Sequence, residues 1–338
     1  MSESTHPEGS PQGGPAIGAD PNEPIHPRPP TPTKPRDPKK SNSDLPGRLL
    51  TAGVLVPIVS YVIVQGGLLF LGTVMVVIFL GQREFYRLIE DKGARPLNTF
   101  GLSAGAALPV VAYLGTEVHM TVLMTATLLA VMVAQLGKRE ITEALASISG
   151  TFFGVFYVGW LMSYAVVLRN FYDAAASHQG VAAVESIGLV PDSGIFLFFF
   201  TLFCVIWCDA GAYFGGRAWG RNKLARKISP GKSVEGALTG VAAGTAGGVV
   251  CKWVFDFFWP DLSRAFPLEV AVGFGVLLSV AGIVGDLIES LLKRDASVKD
   301  TGALLPGTGG VLDRIDSPLL GIPVMYYGLL FYVFLRVG

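Results

Sequence analysis

Phe196-Leu-Phe-Phe-Phe-Thr-Leu-Phe-Cys-Val-Ile-Trp-Cys208 carries no charged side chain and runs straight into Asp209. Extended to 194–212, it has the length of a membrane crossing, for which a helix needs about 20 residues. Comparable apolar runs stand at 48–65, 67–83, 99–115, 118–136, 151–168, 236–258, 268–292 and 319–337. Together they predict an all-α, polytopic transmembrane bundle of about nine spans. The short 67–83 run and the glycine-rich 236–250 segment leave that count open by one. Very short connections separate the first two runs and the third and fourth, which predicts two helical hairpins.

Composition agrees. The 338 residues are 51% hydrophobic and only 15% charged, where a soluble chain carries about 25% charged residues. Residues 1–46 stand apart. They are rich in Pro, Ser and Gly, cannot bury enough apolar area to offset ordering entropy, and are expected to be a disordered tail. The expected organisation is therefore tail (1–46), N-terminal transmembrane helices (47–193) and a C-terminal transmembrane region (194–338) with two polar loops. Cys204, Cys208 and Cys251 all lie in apolar runs with no CxxC or Cys/His cluster, so they read as packing residues rather than zinc ligands or disulfides.

Lys and Arg set the orientation. With the tail inside and the spans alternating, all 26 fall on the inner face except Arg169, Lys252, Arg264 and Arg336. This asymmetry predicts a cytoplasmic N-terminus and an external C-terminus. The expected location is the inner (plasma) membrane of the cell.

Two inner segments concentrate the polarity, 209–236 and 285–317. In the second, Asp286, Glu289, Ser290 and Lys293 are spaced i, i+3, i+4 and i+7 and share one helix face, opposite Ile283, Val284, Leu287 and Leu291. A carboxylate at the bilayer centre costs about 2.5–3.5 kcal/mol on insertion scales, so Asp286 needs a reason. A Glu289–Lys293 ion pair is the plain alternative, but it leaves Asp286 and Ser290 unexplained. Asp313 and Asp316 are also i, i+3, behind the glycine-rich run Gly307-Thr-Gly-Gly310. Clustered carboxylates beside Lys and Arg at a lipid interface suit Mg²⁺, which is usually held by one or two carboxylates plus substrate phosphates. In the first segment, Asp209 ends a very apolar helix and many basic residues follow. Ser229-Pro-Gly-Lys-Ser233 lacks P-loop spacing but is placed to open a helix, with N–H groups available to an anion. The plain alternative there is a basic loop meeting anionic lipid.

The linked run Ser290-Leu-Leu-Lys-Arg294, Lys299-Asp300 and Leu305-Pro-Gly-Thr-Gly-Gly-Val-Leu-Asp-Arg-Ile-Asp316 resembles the signature of the phosphatidate cytidylyltransferase family. Asp209-Ala-Gly-Ala-Tyr-Phe-Gly-Gly-Arg217 and Ile228-Ser-Pro-Gly-Lys-Ser-Val-Glu-Gly236 resemble further family segments. The match is close over about 205–320, loose before it and absent from the tail. One position departs: the family usually has Pro-Gly-His-Gly-Gly, and here Thr308 takes the His place. His6 and His26 lie in the tail, and His119 and His178 fall on the outer side of the expected topology. No histidine therefore serves the inner site, and Thr308 offers one hydroxyl donor instead.

The resemblance implies that CTP and phosphatidate give CDP-diacylglycerol and diphosphate. The lipid phosphate is already anionic near neutral pH, so the demand is for positioning and charge neutralisation rather than a strong base. Asp286 and Asp313 rank first as metal ligands, with Asp316 and then Asp209 behind. Lys293, Arg294, Lys299 and Arg314 would contact triphosphate or phosphatidate, Lys223 and Lys232 would assist from the other segment, and Ser290 would bond a phosphate or orient a carboxylate. Mg²⁺ is the expected cofactor; a second, monovalent cation rests on the resemblance alone. Expected partners are CTP, phosphatidate and membrane lipid, with no nucleic acid and a homodimer left open. Three rivals remain at this stage: a CTP-dependent lipid kinase, a transporter, and a family member altered in activity through Thr308.

Overall fold

A computed structural model describes residues 45–115, 117–138, 142–302 and 309–337. The expectations for the Pro-rich tail up to residue 44 and for Thr308 lie outside the described residues.

Each of the nine apolar runs forms a helix. They are α1 (Leu45–Gln65), α2 (Gly67–Asp91), α3 (Asn98–Leu114), α4 (Glu117–Leu136), a fifth run made of α5 (Ala144–Gly154), a π-helical turn (Val155–Trp160) and α6 (Leu161–Arg169), then α9 (Ser193–Trp219), α10 (Val234–Phe258), α12 (Leu268–Asp295) and α13 (Leu312–Val337). Short helices α7 (Phe171–Gln179), α8 (Val181–Ser186) and α11 (Pro260–Ser263) join spans. Among the described residues, seven helices are long and apolar enough to cross a membrane; Gly53–Gln65 and Asn98–Leu114 are shorter apolar helices. The protein is an integral membrane protein. Large apolar side chains such as Val56, Leu68, Val133, Phe257 and Phe331 remain exposed on the bundle's outside, as a hydrocarbon solvent allows, while the helices satisfy their own backbones.

Three boundaries differ from expectation. α1 already begins at Leu45, two residues inside the expected tail, with Pro46 in its first turn, where a missing N–H costs nothing. The 209–236 segment is mostly not a loop: α9 continues to Trp219, and Lys223–Ala225 (β1) pairs antiparallel with Ser229–Ser233 (β2) before α10 begins. The fold thus adds one small hairpin to its helices. α12 runs past the expected 292 to Asp295, and α13 starts at Leu312 rather than 319, so Asp313 and Asp316 lie in α13 while Asp286 is on a helix as expected.

The reason lies in close helix approach. In α10, Gly236, Gly240, Gly244 and Gly248 recur every four residues on the side facing α9. A Cβ on Gly240 would come within 2.9 Å of Cys208 O, and one on Gly248 within 2.6 Å of Cys204 Sγ. Packing of this kind rewards continuation of α9 past Asp209, because van der Waals contact between small residues holds helices together in lipid. The same seam explains why the glycine-rich 236–250 run is a span, and it leaves Cys204, Cys208 and Cys251 as buried free thiols.

The N-terminal helices are pinned by a buried polar chain. Gln82 Nε2 donates to Tyr86 Oη (2.7 Å) and to Gly101 O (2.8 Å), and Tyr86 Oη donates to Thr151 O (2.9 Å). This ties α2 to α3 and α5 through hydrogen bonds inside an apolar setting, although Gln82 Oε1 has no partner among the described residues.

Candidate active site

The polar face foreseen on α12 is intact and it meets α13. Gly285 makes the meeting possible: a Cβ there would lie 2.5 Å from Asp316 O. The close crossing brings carboxylate oxygens of Asp286, Glu289 and Asp316 within 4.8 Å of one another. Ser290 Oγ, one turn on, donates to Asp286 Oδ1 at a long 3.4 Å, and Ser317 N donates to Asp316 Oδ1 at 2.7 Å.

Two ammonium groups reach these acids. Lys293 Nζ lies 2.5 Å from Glu289 Oε2 and 2.9 Å from Asp313 Oδ1. The Glu289–Lys293 pair therefore exists, but as one arm of a bridge to α13. From the other side, the β1–β2 hairpin lays Lys232 Nζ 2.6 Å from Asp286 Oδ2. The hairpin is held for this: Glu235 accepts from the N–H of Arg221 (3.0 Å) and from Asn222 Nδ2 (2.8 Å), while Ser233 caps α10 by accepting from Gly236 N (3.1 Å). Asp209 keeps open surface on α9 within electrostatic reach of Asp286 and Lys232 and beside Ser317.

Asp313 is employed differently from its neighbours. It accepts from Lys293, from Thr301 N (3.1 Å) and from Gly310 N (2.8 Å). Gly309, at φ +91°, makes the turn that presents this N–H. Asp313 thus gathers the start of α13 and the chain before it, and the three-carboxylate group contains Glu289 in its stead. Arg294 is exposed, with Nε donating to Ile228 O (3.3 Å), so it braces the hairpin. Lys223, Lys299 and Arg314 are exposed.

Two residues missed in the sequence belong to this neighbourhood. Glu84, on α2, is buried; its Oε2 accepts from Leu312 N (2.8 Å) and Thr301 Oγ1 (3.4 Å). The signal was available: Glu84 is a carboxylate between Gly81 and Phe85, in a run whose helix continues well past 83 to Asp91. Tyr157, in the π-helical turn, is buried within electrostatic reach of Glu289, Asp316 and Asp286. No sequence pattern pointed to it.

The group is able to hold a cation. Glu289 has no side-chain exposure; its Oε2 is ion-paired with Lys293, and its Oε1 has no hydrogen-bond partner among the described residues. Among the described residues, the ion pairs of Asp286, Glu289 and Asp313 come from two ammonium groups, Lys232 and Lys293. Buried unpaired charge is costly, and a bound cation removes that cost.

Residues 46–332 match the family described as the cytidylyltransferase family. The chain belongs to the cytidylyltransferase family. Among curated cytidylyltransferase relatives, the phosphatidate cytidylyltransferase of Synechocystis is 32% identical over 291 residues, covering 83% of this chain and 94% of the relative. The chloroplastic phosphatidate cytidylyltransferase 4 of Arabidopsis thaliana is 32% identical over 316 residues, or 89% of this chain and 76% of the relative. The phosphatidate cytidylyltransferase of Bacillus subtilis is 36% identical over 185 residues, 51% of this chain and 65% of the relative. A cytidylyltransferase is an enzyme of nucleotidyl transfer, and the site described is where this chain concentrates the charge such chemistry needs.

Proposed function

We propose that the chain is a phosphatidate cytidylyltransferase that joins CTP and phosphatidate to give CDP-diacylglycerol and diphosphate. The observation that carries this reading is the group Asp286, Glu289 and Asp316 with Lys232 and Lys293 on it, built where membrane helices end in a protein of this family. An oxygen of the lipid phosphate attacks the α-phosphorus of CTP, the bond from that phosphorus to the bridging oxygen breaks, and diphosphate leaves with the electron pair. The attacking oxygen is already anionic, so this chain's work is to bring two polyanions together in line.

Asp286, Glu289 and Asp316 would hold Mg²⁺. When bound, that ion supplies charge neutralisation at phosphate oxygens. Lys232, now paired with Asp286, and Lys293, now shared between Glu289 and Asp313, are placed to turn toward triphosphate oxygens. Arg294, Lys299 and Arg314 give the approach a positive rim, and Lys223 extends it along the hairpin. Ser290 holds Asp286. Asp313 and Glu84 keep the chain before α13 in register, and Asp209 borders the entry. The acyl chains stay in lipid and enter between helices, which leaves the phosphate at headgroup depth. The site faces the cytoplasm, where CTP is present, with the N-terminus on the same side and the C-terminus outside.

The test is incorporation of radiolabelled CTP into lipid by the purified protein, with and without Mg²⁺. A CDP-lipid product that requires both phosphatidate and Mg²⁺ is expected. Phosphorylated lipid with free CDP would instead assign γ-phosphoryl transfer, and no lipid product at all would refute the proposal.

A further inference from the structure

Tyr157 is a buried polar group for which the site so far has no use. It is 4% exposed, and its Oη has no hydrogen-bond partner among the described residues. Its ring is held in place: it stacks on Phe153 at 5.4 Å and 15°, and rests against Phe85 at 5.8 Å. The charged groups within electrostatic reach of its phenol are Glu289, Asp316 and Asp286. The backbone carrying it is also unusual. Val155–Trp160 is a π-helical turn inside an otherwise α-helical run. Such turns are rare, cost regular hydrogen bonding, and are frequent where a side chain must be re-aimed at a functional site.

Two buried polar atoms without a hydrogen-bond partner among the described residues therefore lie within electrostatic reach of each other, the phenol oxygen of Tyr157 and Glu289 Oε1. Leaving a buried hydroxyl unpaired is expensive, and a partner held between it and the carboxylates removes that cost. A hydrated cation is such a partner. Its carboxylate ligands are acceptors only, whereas its water or phosphate ligands can exchange hydrogen bonds with a phenol. Second-sphere bonds of this type orient a metal's ligands and tune its affinity.

We infer that the Tyr157 hydroxyl hydrogen-bonds an oxygen ligand of a divalent ion held by Asp286, Glu289 and Asp316, and so makes the N-terminal helices part of the ion site. This rests on the reading of those three carboxylates as an ion site. The oxygen ligand comes from water or from a nucleotide phosphate, and the two sources are separable by experiment. The role is positioning, since Tyr157 acts through the ion's own ligand.

The experiment uses the full chain in detergent micelles and Mn²⁺ as the probe, with free ion read by electron paramagnetic resonance, in the absence and presence of CTP. Wild type should bind Mn²⁺ and Asp316→Asn should lose it. Tyr157→Phe, which removes only the hydroxyl, should weaken Mn²⁺ binding about threefold to tenfold, as one lost hydrogen bond does. A loss in both arms identifies water as the partner; a loss only with CTP identifies a phosphate oxygen. Unchanged Mn²⁺ affinity of Tyr157→Phe in both arms overturns the inference while the ion site stands. Failure of wild type to bind Mn²⁺ removes the ion site and the inference with it. Should Tyr157→Phe not fold, 3,5-difluorotyrosine at 157 keeps the shape and makes the hydroxyl more acidic; it must shift the affinity more than twofold, and an unshifted value likewise overturns the inference.

Discussion

Replacing Glu84 tests whether the N-terminal helices hold the catalytic end in register. Glu84 lies on α2 and is separated by more than two hundred positions from the residues it binds, yet it is buried and accepts from Leu312 N at 2.8 Å and Thr301 Oγ1 at 3.4 Å. The first is a short hydrogen bond to a carboxylate, a class worth about 1.5–3 kcal/mol, and the second, at the long limit, adds little. Glu84→Ala strands the Leu312 N–H in an apolar interior and opens a small void, so the loss should be roughly 2–4 kcal/mol. Glu84→Gln keeps an acceptor and the shape, and should lose about 1 kcal/mol. At about 2–4 °C per kcal/mol for a chain above 150 residues, thermal denaturation in detergent should fall by roughly 4–16 °C for the alanine variant. The functional effect should exceed what stability predicts. Thr301 and Leu312 flank Asp313, which holds Lys293, and a displacement of about 1 Å at such a centre costs about 10²-fold in rate. Turnover measured well below the denaturation midpoint should therefore drop about 10²-fold in Glu84→Ala and much less in Glu84→Gln. Wild-type turnover in a folded Glu84→Ala protein would refute the reasoning, because it would mean that the clamp on α13 does not position the site.

Two further variants probe the carboxylate group. Lys232→Ala removes the partner of Asp286, and Lys232 competes with any cation for that oxygen; Mn²⁺ affinity should rise about fivefold, roughly 1 kcal/mol for a partly exposed pair, while kcat/KM for CTP falls at least tenfold. A fall in both would show that Lys232 supports the ion site instead of competing with it. Gly285→Ala places a methyl 2.5 Å from Asp316 O, against backbone that cannot yield, whereas Gly273→Ala on the same helix meets nothing within 4 Å. The first should cost about 1–3 kcal/mol and most of the turnover, and the second should be neutral or slightly stabilising; equal behaviour in denaturation and turnover assays would sink the close-crossing account.

Composition and hydropathy alone determined that this is a membrane protein, since long uncharged runs have one stable solution in lipid. Helical spacing likewise placed Asp286, Glu289, Ser290 and Lys293 on one face, because a period near 3.6 depends on local backbone geometry only. The linked motif from Ser290 to Asp316 pointed to the family. What periodicity cannot state is which face meets which. That Glu289 joins Asp286 and Asp316 while Asp313 turns to Lys293, Thr301 and Gly310 was settled by the α12–α13 crossing at Gly285. That α9 runs on past the expected 212 to Trp219 followed from the glycine seam of α10, which meets it at Ala212 and Gly216. Glu84 and Tyr157 reach the site across gaps of more than a hundred residues. Contacts of that kind arise from packing of helices distant in the chain, and no short-range pattern encodes them.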